Sequence, residues 1–416
     1  MRPSTLLYTL LLVAFGLATS GCETTEKALT AAGRVTRGQT GQAIIDLASG
    51  KDPAQIAKRR LDQYARDPEA LVRDLREAKK DFEAILAVLG VNVGKTWGKK
   101  EVQLPERKKY VKYTQNYKSR AIVDFDSAEI LVETLDDQDP QKSLKNAIVT
   151  TLLTPQDPRS VDLFSDKEIV LTDDKEPYLF GLVLDQRNKP IRSPEEAEPF
   201  AAYLLEKKYA TRVVDQDGTK KTVHYATMAM VTNLPMKQAE KYRTLVHQFA
   251  QQYNISPSLV FAVIRTESNF NPYAVSSAPA YGLMQLVPTS GGREAYRKAK
   301  GQDVIPSRDY LFDPENNVEL GTAFLNVLMF NQLEAVDHNV SREYCVIAAY
   351  NTGAGNVFRT FSRDRTTAVN QINSLQPAGV YDQLRKNLPY EETRHYLEKV
   401  TGYRKSFVSS SESSNQ

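Results

Sequence analysis

Three patterns of apolar and polar positions follow one another along the chain. From 53 to 89 the residues Ile56, Leu61, Tyr64, Leu71, Leu75, Phe82, Ile85, Leu86 and Leu89 recur at helical spacing, and Pro68 divides the run into two helices. Between Tyr110 and Val231 the period falls to two. Residues 110–117, 122–125 and 130–135 read as strands, helical patterns interrupt at 144–153 and 195–208, and Asp217-Gly218 between RVV and VHYATMAMV marks a hairpin. Near Pro235 the alternation stops and helical periodicity takes over. It predicts one helix over 237–254, one from Pro257 to Ser268, and one opened by Asp313-Pro314 and running through Val318, Leu320, Phe324, Leu325 and Leu328. A short apolar helix follows, capped by Ser341 and ending at Tyr350-Asn351, with Gly353 and Gly355 turning the chain after it. The last helix covers 391–404, with Tyr396, Val400 and Tyr403 along one side. The predicted fold class is α+β: a mixed N-terminal domain with a mainly antiparallel sheet over 51–235, then an all-α domain over 236–406. The polar end, 407–416, reads as a disordered tail.

The helix from Pro257 carries the chemistry. Ser256 suits its N-cap and Pro257 its first position, where a missing N–H costs nothing. Its apolar stripe is Val260, Val263 and Ile264, and Glu267 falls on that stripe instead of the solvated face. Desolvation disfavours the charged carboxylate and raises its pKa, as a proton donor near neutral pH requires. A lone glutamate at a helix end is more often a solvated or ion-paired residue, and here the loop that follows shifts the balance. Ser268, the Asn271-Pro272 turn, Ser276 and the run Gly282-Leu283-Met284-Gln285 form a polar, glycine-broken segment, and no Asp or Glu occurs from Ser268 to Arg293. A two-carboxylate glycosidase needs a second acid close in space, and this segment does not supply one.

The first residues add a compartment. Arg2, the apolar run from Leu6 to Ala18 and the small residues before Cys22 have the layout of a secretory leader, too short for a membrane span. Signal peptide 1–21 and a Thr-, Ala- and Gly-rich tether over 22–50 follow from that reading. Cys22 is either a modified residue or incidental to an ordinary signal peptide cut at a small residue; Cys345 is the only other cysteine, so if Cys22 is acylated no intrachain disulfide forms, and in EYCVIAAY Cys345 reads as a small buried hydrophobe. His224, His247, His338 and His395 lack ligand spacing, so no metal and no cofactor is expected. A net charge of +3 from 54 basic and 51 acidic residues gives no argument for nucleic acid.

Glu267-Ser268, Gly282 to Gln285 and Ala349-Tyr350-Asn351 stand in the order of the motifs Glu-Ser, Gly-Leu-Met-Gln and Ala-Tyr-Asn, followed by Glu392-Thr393-Arg394-His395-Tyr396. In these the chain resembles the soluble-lytic-transglycosylase catalytic domain, which implies a lysozyme-like all-α fold. Upstream, YVKYTQNYKSRAIVDFD, PYLFGLVLDQRNKPIR and FAAYLLEKK resemble the N-terminal domain of membrane-bound lytic murein transglycosylases. The resemblance implies non-hydrolytic cleavage of the β-1,4 bond between N-acetylmuramic acid and N-acetylglucosamine, with Glu267 as acid and then base and a 1,6-anhydro product. It implies substrate contacts from Ser268, Ser276, Met284, Gln285, Tyr350, Asn351 and Tyr396, with Tyr396 bonding Glu267; Ala278 replaces a serine that some members carry. Packing is the alternative role for both tyrosines, and a C-cap for Asn351.

Thr19-Ser20-Gly21-Cys22 resembles a lipobox, with Thr19 in place of the usual Leu and Glu23 after the cysteine favouring the outer membrane. The expected partners are therefore glycan strands and, through the lipid on Cys22, the periplasmic face of that membrane. Two other functions share these residues: a hydrolytic muramidase of goose-type lysozyme character and a non-catalytic wall-binding lipoprotein. Tyr110, Tyr113 and Tyr117 read either as a glycan-stacking face or as ordinary strand packing. Because every motif lies beyond Pro235, residues from about 236 onward are expected to fold and act alone.

Overall fold

The computed structural model describes residues 68–171, 176–276 and 279–413. The leader, Cys22, the tether, the first predicted helix and Ala278 lie outside them. The chain packs as two units, Met1–Val88 and Leu89–Gln416; the described part of the first is the opening of helix α1 (Pro68–Trp97).

The second unit begins with an antiparallel sheet of β1 (Lys109–Thr114), β2 (Ser119–Asp124), β3 (Glu129–Thr134), β4 (Ala210–Gln216) and β5 (Thr219–Ala229), in the order β1-β2-β3-β5-β4. The hairpin at Asp217-Gly218 is there, with both residues at positive φ (48° and 90°), as a tight turn matched to strand twist requires. Alternation sends Tyr110, Val123, Ile130, Val132, Ala226 and Met228 to one face, under the helices α2 (Pro140–Leu152) and α3 (Pro194–Lys207). The other face buries Val111, Tyr113, Val214 and Val223 against Leu89, Val93 and Trp97 of α1. Tyr110 and Tyr113 are thus core residues on opposite faces. The glycan-stacking alternative falls, because alternation cannot put both rings on one exposed surface.

Helices make up the rest: α4 (Leu234–Lys241), α5 (Arg243–Gln252), α6 (Pro257–Ser268), α7 (Gly291–Lys300), α8 (Arg308–Phe312), α9 (Pro314–Val327), α10 (Asn339–Thr352), α11 (Ala354–Phe361), α12 (Arg365–Ser374), α13 (Pro377–Asn387) and α14 (Glu391–Ser413). The single helix expected over 237–254 is broken at Tyr242, whose buried ring stacks on Phe270 at 6.3 Å. His338, not Ser341, caps α10: its Nδ1 accepts from the Val340 N–H, while Ser341 is buried inside the first turn. Gly355 lies within α11, leaving the turn to Gly353. The domain does not end at 406. Helix α14 continues to Ser413, and Phe407 stacks on Phe261 at 5.3 Å in the core.

Packing across residue 235 is continuous. Tyr273 shares the core of the sheet's helical side, with its ring 5.0 Å from Tyr110 and 5.8 Å from Tyr178 and its hydroxyl donating to the Pro155 carbonyl. Tyr178 donates to Phe270 O at 3.0 Å, and Asn269 Nδ2 to Phe125 O at 2.6 Å. A fragment starting at 236 would expose these groups to water.

Candidate active site

Pro257 opens α6 as expected, although the Ser256 hydroxyl pairs with that of Ser258 at 2.8 Å and caps nothing. The helix is buried nearly all round. It stops where Asn269 and Phe270 both take left-handed backbone (φ 48° and 60°). Asparagine tolerates that conformation; Phe270 is held in it by complete burial. Residues 271–276 and 279–286 lie against the end of α6, joined to it through Ser268.

That loop is pinned from several elements. Ser268 Oγ reaches the Leu283 carbonyl at 2.8 Å and its own helix's Ile264 carbonyl at 3.1 Å. Asn317 of α9 accepts from Met284 N at 2.8 Å and donates to the Tyr281 and Leu311 carbonyls at 2.8 and 2.7 Å. Tyr350, at the end of α10, donates to Met284 O at 2.9 Å. Gly282 sits at φ 74°, where a Cβ would lie 2.5 Å from both Asn317 and the Leu311 carbonyl, so only glycine fits.

Glu267 ends on the buried side of this loop, only 5% exposed. Burial raises its pKa from the ordinary 4.5 to about 7, against the opposing pull of the Tyr396 hydroxyl and Arg107. Tyr396 of α14 is buried and turns its hydroxyl to the carboxyl, whose charged form it favours. Arg107 Nη1 stands 3.7 Å from Glu267 Oε2, and its Nη2 donates to Glu392 Oε1 at 3.2 Å. A carboxyl that titrates near 7 has both its forms available at neutral pH, and can donate a proton and then take one back.

The other predicted residues divide. Tyr396 and Tyr350 both lie close enough to Glu267 to feel its charge. Gln285 donates through Nε2 to the Ala274 and Gly282 carbonyls at 3.1 and 2.9 Å and keeps a buried Oε1 without a partner, an acceptor that suits an amide N–H. Ser276 is half-buried in the loop. Ser268 and Met284 are placed for structure. The Ser268 hydroxyl is taken up by carbonyls, and the Met284 side chain lies so close on Gly321 that a Cβ there would meet its sulfur at 2.2 Å. Asn351 does not end α10; its Oδ1 accepts from Thr393 at 2.6 Å, tying α10 to α14. Cys345 is buried, its thiol pushed up to about 12 by desolvation. Among the described residues no group of three metal-type ligands occurs.

Sequence reasoning missed Arg107 and Asn317. Arg107 lies in a basic, charged run with no local feature that separates it from Lys108 or Lys109. Asn317 stands in PENNVELG beside Asn316 and between two glutamates, and nothing in that polar stretch marks it as the buried one.

Comparison with known proteins matches the same two stretches. The family model of the membrane-bound lytic murein transglycosylase C N-terminal domain covers residues 72–241, and that of the transglycosylase SLT domain covers 244–373. The chain is 42% identical over 339 residues to membrane-bound lytic murein transglycosylase C of Serratia proteamaculans, spanning 82% of this chain and 92% of that one. It is 43% identical over 339 residues to the protein of the same name from Klebsiella pneumoniae, spanning 82% and 91%. Of solved structures, the lytic transglycosylase Slt of Pseudomonas aeruginosa aligns at 29% identity and TM-score 0.31, covering 39% of this chain and 23% of that one. The 70 kDa soluble lytic transglycosylase of Escherichia coli aligns at 27% and 0.30 over the same shares.

Proposed function

The chain belongs to the membrane-bound lytic murein transglycosylase C family, and from that membership we propose that Glu267 alone moves the proton in both halves of its reaction. The protein is a peptidoglycan lytic transglycosylase, a lyase. The observation that carries the assignment is a carboxyl 5% exposed, raised to about 7 by burial, at the end of a helix and under a loop fixed from α9 and α10.

In the first half the Glu267 carboxyl gives its proton to the glycosidic oxygen. The C1–O bond breaks with its electron pair going to that oxygen, and the muramoyl acetamido carbonyl closes on C1. In the second half the Glu267 carboxylate takes the proton from the sugar's O6 hydroxyl. O6 attacks C1, the acetamido oxygen leaves, and a 1,6-anhydro ring closes. No water is consumed, and one residue returns to its starting state. Tyr396 is positioned to steady the carboxylate between the halves, and Gln285 Oε1 to accept from an N-acetyl group; Ser276 and Asn351 line the approach. The product's mass tests the reading: anhydro ends lack one water relative to hydrolytic ends, and a product with reducing ends would overturn it.

The named relatives are membrane-bound. We place this chain at the outer membrane, on the periplasmic face, through a lipid on Cys22, with residues 51–235 as an accessory domain before a catalytic domain starting near 236. Among the described residues no helix is long and apolar enough to cross a membrane. Acyl chains contribute about 0.8 kcal/mol per buried CH₂, so Cys22→Ser is expected to release the protein into the soluble periplasmic fraction. Retention in washed outer membrane would move the anchor to another segment.

A further inference from the structure

We propose that Arg107, from the accessory domain, is a positioning residue of the active site, set between Glu267 and Glu392 so that the acid works free of its neighbouring carboxylate. The proposal rests on Glu267 being the acid. Its geometry is specific. Opposite nitrogens of one guanidinium face two carboxylates, Nη1 to Glu267 at 3.7 Å and Nη2 to Glu392 at 3.2 Å, across a sequence separation of 285 residues for the second pair.

The backbone beneath the arginine is fixed from the catalytic side. Glu106 and Lys109 bridge one another, Glu106 N donating to Lys109 O at 2.9 Å, so Arg107 and Lys108 form the tip of a tight turn at the start of β1. Asn271, three residues after the catalytic helix ends, donates from Nδ2 to the Arg107 carbonyl at 3.2 Å. Asn269 holds the neighbouring strand end through Phe125 O at 2.6 Å and reaches Asp126 Oδ1 at 3.3 Å. Asp126 in turn pairs with Lys108 at 3.2 Å. The residues that terminate the catalytic helix are therefore the ones that seat the turn bearing Arg107.

Stability does not explain the arrangement. Arg107 is 42% and Glu392 66% exposed, and ion pairs of that exposure contribute little to folding. The charge matters to Glu267, which is buried and feels it through protein instead of water. Glu267 faces Tyr396 and Glu392 from α14, Tyr350 from α10, and Arg107 and Lys108 from the turn. In that set Arg107 lies closest of the cations, and Glu392 opposes ionisation. When Glu267 gives up its proton a carboxylate is left in an apolar site, and the guanidinium is the group that meets it. Removing Arg107 both withdraws that partner and leaves the Glu392 charge unanswered.

The test is the pH dependence of turnover on soluble glycan strands by the full-length protein carrying Arg107→Ala, Arg107→Lys, Glu392→Gln, or Arg107→Ala with Glu392→Gln, beside Glu267→Gln. Arg107→Ala is expected to lower kcat about tenfold with KM little changed, to leave the melting temperature in place, and to move the alkaline limb up by about half to one pH unit. Arg107→Lys should recover part of the rate, and adding Glu392→Gln to Arg107→Ala should bring the limb back toward the wild type. An unmoved limb, or a rise in KM with kcat intact, would overturn the proposal, the latter by making Arg107 a ligand for substrate carboxylates. A fall in melting temperature matching the loss of rate in both Arg107 variants would reduce it to a fold contact. Activity surviving in Glu267→Gln would instead sink the acid assignment itself, which separates the two failures.

Discussion

Glu133, in the middle of the sheet, is fully buried, and Glu267, at the end of α6, is 5% exposed; what separates them is their partners. Both oxygens of Glu133 are taken, one by Arg120 Nε at 2.6 Å and one by Arg212 Nε at 2.9 Å. Glu101 closes the set, accepting from Arg212 Nη2 at 2.7 Å and lying 3.3 Å from Arg120 Nη2, while the Arg120 guanidinium covers the Trp97 ring at 3.9 Å. Glu267 has one guanidinium, farther off at 3.7 Å, and the neutral hydroxyl of Tyr396. The lesson is that burial alone does not make an acid. A buried carboxylate met by charge on both oxygens is a structural joint; one left under-partnered binds a proton near neutral pH.

The largest effect that can break this contrast is on turnover. Glu267→Gln keeps the side chain's size but can neither donate nor accept the proton, so the rate is expected to fall by about 10² to 10⁴, toward the upper end because the same residue serves both halves of the reaction. Glycan binding should persist, and Glu133→Gln should leave the rate per folded molecule intact. Retention of more than about a tenth of the wild-type rate in Glu267→Gln would mean less than about 1.4 kcal/mol of barrier had been lost, too little for the proton carrier. Glu294 and Glu319 do not stand in reserve: Glu294 accepts from Gln332 at 2.7 Å and Glu319 is held by Lys300 at 2.6 Å.

Stability should respond in the opposite sense. Glu133→Ala strands the Arg120 guanidinium, 2% exposed, and uncompensated buried charge costs about 3–5 kcal/mol. Urea unfolding would measure it, and a loss below about 1 kcal/mol would mean that water or Glu101 takes over the pairing. For Glu267 the contribution depends on pH. Its folded pKa of about 7 lies above the ordinary 4.5, so between those values the folded state holds more proton than the unfolded chain. Native stability therefore falls as pH rises from about 4.5 to 7 and levels beyond. At about 1.36 kcal/mol per pKa unit the change is on the order of 3 kcal/mol. Glu267→Gln, which has no proton to lose, should gain on the wild type by that amount across the window. Parallel stability curves would remove the burial argument for the acid.

Much of this was legible before any coordinates. The switch from period two to helical spacing located the sheet and the helical body, because one-sided burial writes itself into alternation. Glu267 was found by its place on an apolar stripe, and Asp217-Gly218 by turn chemistry. Local pattern carries no record of which distant segments meet, so Arg107 and the asparagines that seat it were invisible, as was the sharing of one core by Tyr273 and Tyr110. The same blindness produced the single helix over 237–254, which breaks at Tyr242, a buried ring stacked on the distant Phe270. It also ended the domain at 406, since nothing in a serine-rich stretch reveals that Phe407 stacks on Phe261.

The smallest expected effects come from the two tyrosines beside Glu267, and they sharpen the same contrast of partners. Tyr350 spends its hydroxyl on the Met284 carbonyl at 2.9 Å, with its ring 5.4 Å from Phe324. Tyr396 turns its buried hydroxyl to the acid, with which it interacts. Tyr350→Phe should therefore cost about 1 kcal/mol of stability, the worth of one buried neutral hydrogen bond, and loosen the Gly282–Gln285 loop enough to lower turnover severalfold at an unchanged pH profile. Tyr396→Phe should leave stability nearly level and should shift the alkaline limb upward by withdrawing a group that favours the Glu267 carboxylate. Thermal melts and pH–rate curves on both variants decide the matter. If Tyr350→Phe moved the limb and Tyr396→Phe did not, the roles would be exchanged, and the support of the acid would have to be traced through α10 instead of α14.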